Sequence, residues 1–297
     1  MLYKNWIDLH KSHISTHPKV GKPYNMIRNG IFALVVLCTF TSCDEKKPDV
    51  CQEIELNAPR LILVAGQSNT HAGLGADAIL DASQQGIYQL GRFQNNNCVI
   101  LAEEPLDHHT RVDGRIGFAL TFAKLLQQEL QDSSDLIIVP CGFGATGFKD
   151  GRWNKSNDLY NDAVERVRFI LDKYPQSTLV AILWHQGETD IILNNQNYQN
   201  DLDNFIINLR SDLANDTVPF ILGGMVPYWV QQAPERLQMQ QLLKNMPQRF
   251  AKVAYADPLL PFVIEKPDNT VDDIHYDAAG QRELGTRYFN QYLSIVD

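Results

Sequence analysis

No stretch of this 297-residue chain stays apolar for the roughly 20 residues that a membrane-spanning helix requires. Basic residues are also in deficit: 26 Lys and Arg stand against 35 Asp and Glu, a formal charge of −9. No basic cluster offsets that balance, so the positive face on which a nucleic-acid binder depends is missing. Cysteines number five, with neither a CxxC pair nor a His/Cys spacing suited to a metal. The Gly-rich stretch "GFGATG" (142–147) lacks the following Lys-Ser/Thr pair of a phosphate loop. Internal repeats are absent as well. What remains is a chain long enough to bury a large core, ordinary in its apolar and charged content, and expected to need no metal or cofactor.

The N-terminal 43 residues differ from the rest. From Met26 the sequence reads "MIRNGIFALVVLCTFTSC": one arginine, an apolar run from Ile31 to Phe40, then small residues up to Cys43. A run of that length suits an export signal rather than a span. The "FTSC" ending resembles a bacterial lipoprotein signal, which implies cleavage before Cys43, lipidation of its sulfur and membrane contact through that anchor alone. Residues 1–25 show no apolar periodicity, and translation is expected to start at Met26. Loss of residues 1–42 removes five basic groups (Lys4, Lys11, Lys19, Lys22, Arg28) and one acid (Asp8), which leaves 21 positive against 34 negative charges, about −13. Residues 44–58, beginning "DEKKPD", read as a solvated tether, and residues 59–297 as the folded domain. Of the remaining cysteines, Cys51 and Cys98 can pair in an oxidising compartment, a matter that spacing leaves open.

From residue 60 short apolar runs alternate with longer amphipathic ones, the pattern of a parallel sheet covered by helices on both faces. Strands are expected at "RLILVAG" (60–66), "CVILAEE" (98–104), "DLIIVPC" (135–141), "STLVAILW" (177–184), "VPFILGGMV" (218–226) and "KVAYAD" (252–257). Helical faces recur at Ala119, Phe122, Ala123 and Leu126; at Leu159, Ala163, Val164 and Val167; and at Tyr198, Leu202, Phe205 and Leu209. A last helix is expected from Ala278 to Leu293, with Asp277 as its N-cap. Open parallel sheets bind ligands at the carboxyl ends of their strands, so the residues that follow each strand matter most.

Ser68 follows the first strand directly, in "GQSN". A serine needs a neighbouring base and a group that orients the base before it can act as a nucleophile. His71 is near in sequence but has no acid placed to orient it, and His108 and His109 sit in a polar loop expected to be solvent-exposed. His275 lies in "VDDIHYD" with Asp272 three residues ahead, a turn length that can fold the carboxylate onto the imidazole. Stabilisation of an oxyanion needs N–H donors, for which the Gly144 backbone and the Gln186 side chain, in "WHQGETD", are candidates. The motif is not the G-x-S-x-G elbow of an α/β-hydrolase, because position 70 is Thr.

Taken together, "GQSN" (66–69), "GRIGFALTFA" (114–123), "PCGFGATGFKDGRW" (140–153), "WHQGETD" (184–190) and "DDIH" (272–275) resemble the SGNH (GDSL-type) hydrolases, in the sialate O-acetylesterase-like branch that includes acetylxylan esterases. The resemblance spans roughly residues 60–293. It implies a three-layer α/β/α sandwich, flavodoxin-like, with a central parallel sheet. It also implies that Ser68 is the nucleophile, His275 the base and Asp272 the orienting acid, with Asp273 less suited. The implied oxyanion hole is the Ser68 N–H, the Gly144 N–H and the Gln186 side chain. Gln67, Asn69 and Glu188 are expected to support the site through hydrogen bonds. Relatives often carry Gly where this chain has Ala145 and Met where it has Thr70, differences expected to bear on substrate size.

The expected activity is therefore hydrolysis of acetyl esters on a carbohydrate, acetylxylan or O-acetyl sialic acid among them, through a serine acetyl-enzyme. Trp153 and Trp184 are candidates for the pocket wall or for core packing. Two other readings fit the same chain: a surface lipoprotein that binds acetylated glycans without turnover, and an esterase for other acyl chains.

Overall fold

A computed structural model of the protein describes residues 51–296. Its strands are β1 (Arg60–Gly66), β2 (Gly73–Leu74), β3 (Ile87–Leu90), β4 (Val99–Leu101), β5 (Arg115–Ile116), β6 (Leu136–Pro140), β7 (Thr178–His185), β8 (Phe220–Gly223) and β9 (Val253–Ala256). Its helices are α1 (Ala119–Glu129), α2 (Asp158–Lys173), α3 (Glu188–Ile192), α4 (Tyr198–Asp212), α5 (Pro227–Val230), α6 (Pro234–Asn245) and α7 (Ala278–Val296). Seven strands form the main sheet in the order β4-β3-β6-β1-β7-β8-β9, while β2 and β5 pair separately. The expected export signal, the expected lipidation site at Cys43 and the first part of the expected tether lie outside the described residues.

The central position of β1 explains its composition. It pairs in parallel with β6 on one side and β7 on the other, and Leu61 to Ala65 have no exposed surface. A strand buried on both faces needs a continuous apolar run, and each large aliphatic side chain so buried contributes about 2 kcal/mol. Adjacent residues on β7 show the layers. Trp184 meets Phe205 of α4 at 4.5 Å between ring centroids, whereas His185 points the other way, 5.9 Å from Phe118, which itself stacks on Tyr288 of α7 at 4.3 Å. Side chains on a strand alternate faces, so α4 and α7 cover opposite sides of the sheet. The α/β/α arrangement follows.

Four details depart from the sequence reading. The sheet is mixed rather than wholly parallel: the 98–104 run shortens to β4, an edge strand antiparallel to β3. The four-residue β3, with Gln89 in its middle, offers no apolar run to read. Residues 51–58 are not a free tether, because a disulfide joins Cys51 to Cys98, and the Asn57 N–H donates to Asp135 at 2.7 Å. Helix α6 carries few apolar residues and buries Gln240, whose Oε1 accepts from the Met225 N–H at 2.9 Å. The expected N-cap of α7 is present, since Asp277 accepts from the Gly280 N–H at 2.8 Å.

Candidate active site

Four loops meet at the carboxyl edge of the sheet. They follow β1 (Ser68), β6 (142–147), β7 (185–190) and β9 (Asp272 and His275). The turn out of β1 is forced by close backbone approach. Gly66 has φ of 129°, and a Cβ there would lie 2.1 Å from the His185 carbonyl oxygen. The chain reverses at that point, the Gln67 N–H donates to the same carbonyl at 2.8 Å, and Ser68 begins a short 3-10 turn.

Ser68, His275 and Asp272 form one hydrogen-bonded line although 207 residues separate the serine from the histidine. Ser68 Oγ lies 2.8 Å from His275 Nε2, and Nδ1 of the same ring lies 2.9 Å from Asp272 Oδ2. The carboxylate also accepts the His275 backbone N–H at 3.1 Å, which closes the turn between the two residues. Burial by itself would raise the Asp272 pKa, but the hydrogen bond and charge of His275, with the charge of Lys266, outweigh it and hold the group down at about 2. An ionised acceptor at Nδ1 leaves Nε2 to face the serine hydroxyl. Asp273 points elsewhere, 3.3 Å from Gln232 Nε2.

Asn69 ties the nucleophile turn to the histidine loop. Its Nδ2 donates to Glu188 at 2.7 Å and to the Ile274 carbonyl at 3.0 Å, while its Oδ1 accepts from the Tyr276 N–H at 3.2 Å. The bonds to 274 and 276 flank His275 on both sides. Glu188 has no exposed surface; burial opposes its charge, yet His185 and the Asn69 amide prevail and keep its pKa below the usual range. Gln67 works on the other flank, where its Oε1 accepts from the Thr189 N–H at 3.0 Å and from Gln186 at 3.2 Å.

The loop after β6 carries Gly144, which is buried. Among the described residues, neither the Gly144 N–H nor the Ser68 N–H has an acceptor in the protein. Gln186 differs from expectation. Its Nε2 lies 2.7 Å from Asp190 Oδ2, 3.2 Å from Gln67 Oε1 and 3.3 Å from the Thr146 carbonyl, so both of its hydrogens are already engaged. The geometry makes Gln186 a brace of the neighbouring loops rather than a free third donor. Ala145 adopts φ of 56°, a left-handed conformation that glycine takes without strain, in accord with the glycine common at this position in the resembling family.

Sequence reasoning missed two residues. Asp190, buried and acceptor-only when ionised, receives the Phe148 and Lys149 N–H groups at 2.9 and 2.8 Å as well as Gln186, and so knots the β6 and β7 loops together. It closes the "HQGETD" motif, which was the available signal. Lys266 donates to the carbonyls of Asp272 and His275, the latter at 2.9 Å, and no motif marked it. His108 is buried rather than exposed, accepting the Gly142 N–H at 2.9 Å, and His109 meets Asp162 at 3.0 Å. Trp153 and Trp184 have no exposed surface and pack edge to face in the core, 5.1 Å apart.

The model of the carbohydrate esterase family described as sialic acid-specific acetylesterase matches residues 58–294. The chain belongs to that family. A probable 9-O-acetyl-N-acetylneuraminic acid deacetylase of Escherichia coli K12 is 28% identical over 225 residues, covering 59% of this chain and 69% of the relative. A probable carbohydrate esterase of Arabidopsis thaliana is 30% identical over 196 residues, covering 60% and 72%. The crystal structure of NanS superposes with a TM-score of 0.71 at 20% identity, over 82% of this chain and 98% of that one, and so shares the fold. This carbohydrate acetylesterase is thus a serine-type carboxylic ester hydrolase with an SGNH-like architecture.

Proposed function

We propose that this esterase removes acetyl groups from sugar hydroxyls through an acetyl-enzyme on Ser68. The observation that carries the reading is the continuous line Asp272–His275–Ser68, with 2.9 and 2.8 Å links. His275 Nε2 takes the serine proton as Oγ attacks the acetyl carbonyl. Asp272 steadies the imidazolium that results. The oxyanion is received by the Ser68 and Gly144 N–H groups, whose hydrogen bonds are unspent within the protein. His275 then protonates the departing sugar oxygen, and water clears the acetyl group by the same route, giving acetate and free serine.

The substrate is an O-acetylated sugar of the kind named for the Escherichia coli relative, an acetylated sialic acid, in preference to acetylated xylan. The site of action is an oxidising compartment outside the cytoplasm, reached through the signal at 26–43 and held there by a lipid on Cys43. The Cys51–Cys98 disulfide supports that location, because such bonds persist where thiols are not kept reduced.

Acetate release from a panel of acetylated glycans, with Ser68→Ala as the control, tests the reading. The variant should keep its circular dichroism spectrum and lose turnover by at least about 10³-fold. Hydrolysis retained in Ser68→Ala would remove the serine from the mechanism.

A further inference from the structure

The motif "GRIGFALTFA" holds a charge that the mechanism does not use. Arg115 lies on β5, which pairs antiparallel with β2, so Arg115 stands opposite Leu74, six residues beyond the nucleophile. Its Nη1 donates to the Ala72 carbonyl, and two residues on, a Cβ at Gly117 would meet the Thr70 carbonyl oxygen at 2.0 Å. The Arg115 segment therefore runs along the chain that leaves Ser68. Other arginines are neutralised: Arg92 by Asp162 and Arg111 by Asp107 on loops, and Arg282 of α7 by Asp81. Among the described residues, no carboxylate lies within ion-pair distance of Arg115, and its Nε and Nη2 have no hydrogen-bond acceptor. The side chain is partly exposed. Its field reaches the neighbourhood of the site, for His71 is held at a pKa of about 3 by burial and then by the charges of His275 and Arg115.

We propose that Arg115 is a specificity-determining residue that binds the carboxylate of an O-acetylated sugar acid while Ser68 attacks the acetyl group. One guanidinium nitrogen is fixed on Ala72, which sets the plane, and the Nε–Nη2 edge presents the two parallel donors that match a carboxylate. A local cation of this kind also offsets the repulsion that a protein of charge −9 exerts on an anionic substrate. Sialic acids and uronic acids share the group recognised. The inference rests on the acetylesterase reading given above.

The test compares kcat/KM for acetate release from O-acetyl-N-acetylneuraminic acid, its carboxyl methyl ester, an O-acetylated galacturonide, an acetylated xylo-oligosaccharide and p-nitrophenyl acetate. Wild type, Arg115→Gln and Arg115→Lys are assayed. Arg115→Gln should lose on the order of 10- to 100-fold on the sugar acids that the wild type accepts and keep its rates on the masked and neutral esters. Arg115→Lys should recover part of that loss, because it retains charge without the fork. Which of the two sugar acids responds identifies the source of the carboxylate. Equal losses on acidic and neutral esters, or none on either, would overturn the role of Arg115, as would a wild type indifferent to masking of the carboxylate. Failure of the underlying reading looks different: no ester would show a Ser68-dependent rate.

Discussion

Three side chains carry the proposed chemistry, but the positions of two of them depend on residues that do not react. His275 sits in a loop whose turn is closed by Asp272 and clipped from behind by Lys266, which bonds the carbonyls at both ends of that turn. Removing the ammonium should free the turn and blunt the alignment of Nε2 with Ser68 Oγ. Lys266→Met is expected to lower kcat by about 10- to 100-fold with KM little changed, and Lys266→Arg to restore most of it. Parallel losses in KM, or no rescue by arginine, would argue that Lys266 matters to folding alone. The triad itself was legible, since a serine straight after a buried strand and a D-x-x-H turn before the last helix are local patterns. Lys266 was not, because its partners are backbone carbonyls, which leave no mark on residue choice. Gln186 was legible as a site residue but not in its role: the sequence shows an amide, and only the position of Asp190 shows where its hydrogens go.

At the level of elements, long apolar runs and helical faces announced themselves. β1, β6, β7 and the helices α1, α2, α4 and α7 lie where the periodicities place them, within a few residues. The elements that escaped, β3 and α6 among them with the short β2, β5, α3 and α5, are short or bury polar groups such as Gln89 and Gln240, so no apolar period betrays them. The N-terminal lead-in is the other correction. Cys51 and Cys98 are separated by 47 residues, and the bond between them pins the chain that precedes β1 close to the edge strand β4. Loop closure over that distance contributes up to about 4 kcal/mol in the chain-entropy account. Cys51→Ser is therefore expected to cost about 2 to 4 kcal/mol in urea unfolding while leaving the rate on acetyl esters intact. An unchanged midpoint under oxidising conditions would show that the disulfide does not form.

For the molecule as a whole, acid sensitivity follows from two buried histidines. Burial, then the charge of His275, keeps His71 at about 3, and burial, then the charge of His71, keeps His108 well below its ordinary value. In the unfolded chain both bind protons near pH 6.5, so between that pH and the folded values the unfolded state holds more protons. Their contribution is complete above about pH 6.5 and is lost as the pH falls, at about 1 kcal/mol per pH unit for each histidine. Urea midpoints measured at pH 7 and pH 5 should fall accordingly, and His71→Asn should flatten the slope. Midpoints equal at the two pH values would sink this account. Asp272 adds nothing between pH 7 and pH 5, since its carboxyl is ionised there in both the folded and the unfolded chain; its contribution is lost only at lower pH, as the unfolded carboxyl takes up a proton and then the folded one does, at about 2.

The order of apolar runs in the sequence determined the layered sheet, and the residues after each strand marked the rim on which Ser68, Gly144, Gln186 and His275 gather. That much is local, because strand burial and turn chemistry constrain residue type position by position. Only the tertiary structure decided which donors are free and which are spent. Asn69, Asp190, Lys266 and Arg115 take their roles from partners that lie far away in the chain or are backbone atoms. A hydrogen bond or an unpaired charge is a property of the two groups that meet, or fail to meet, and a sequence states only one of them at a time.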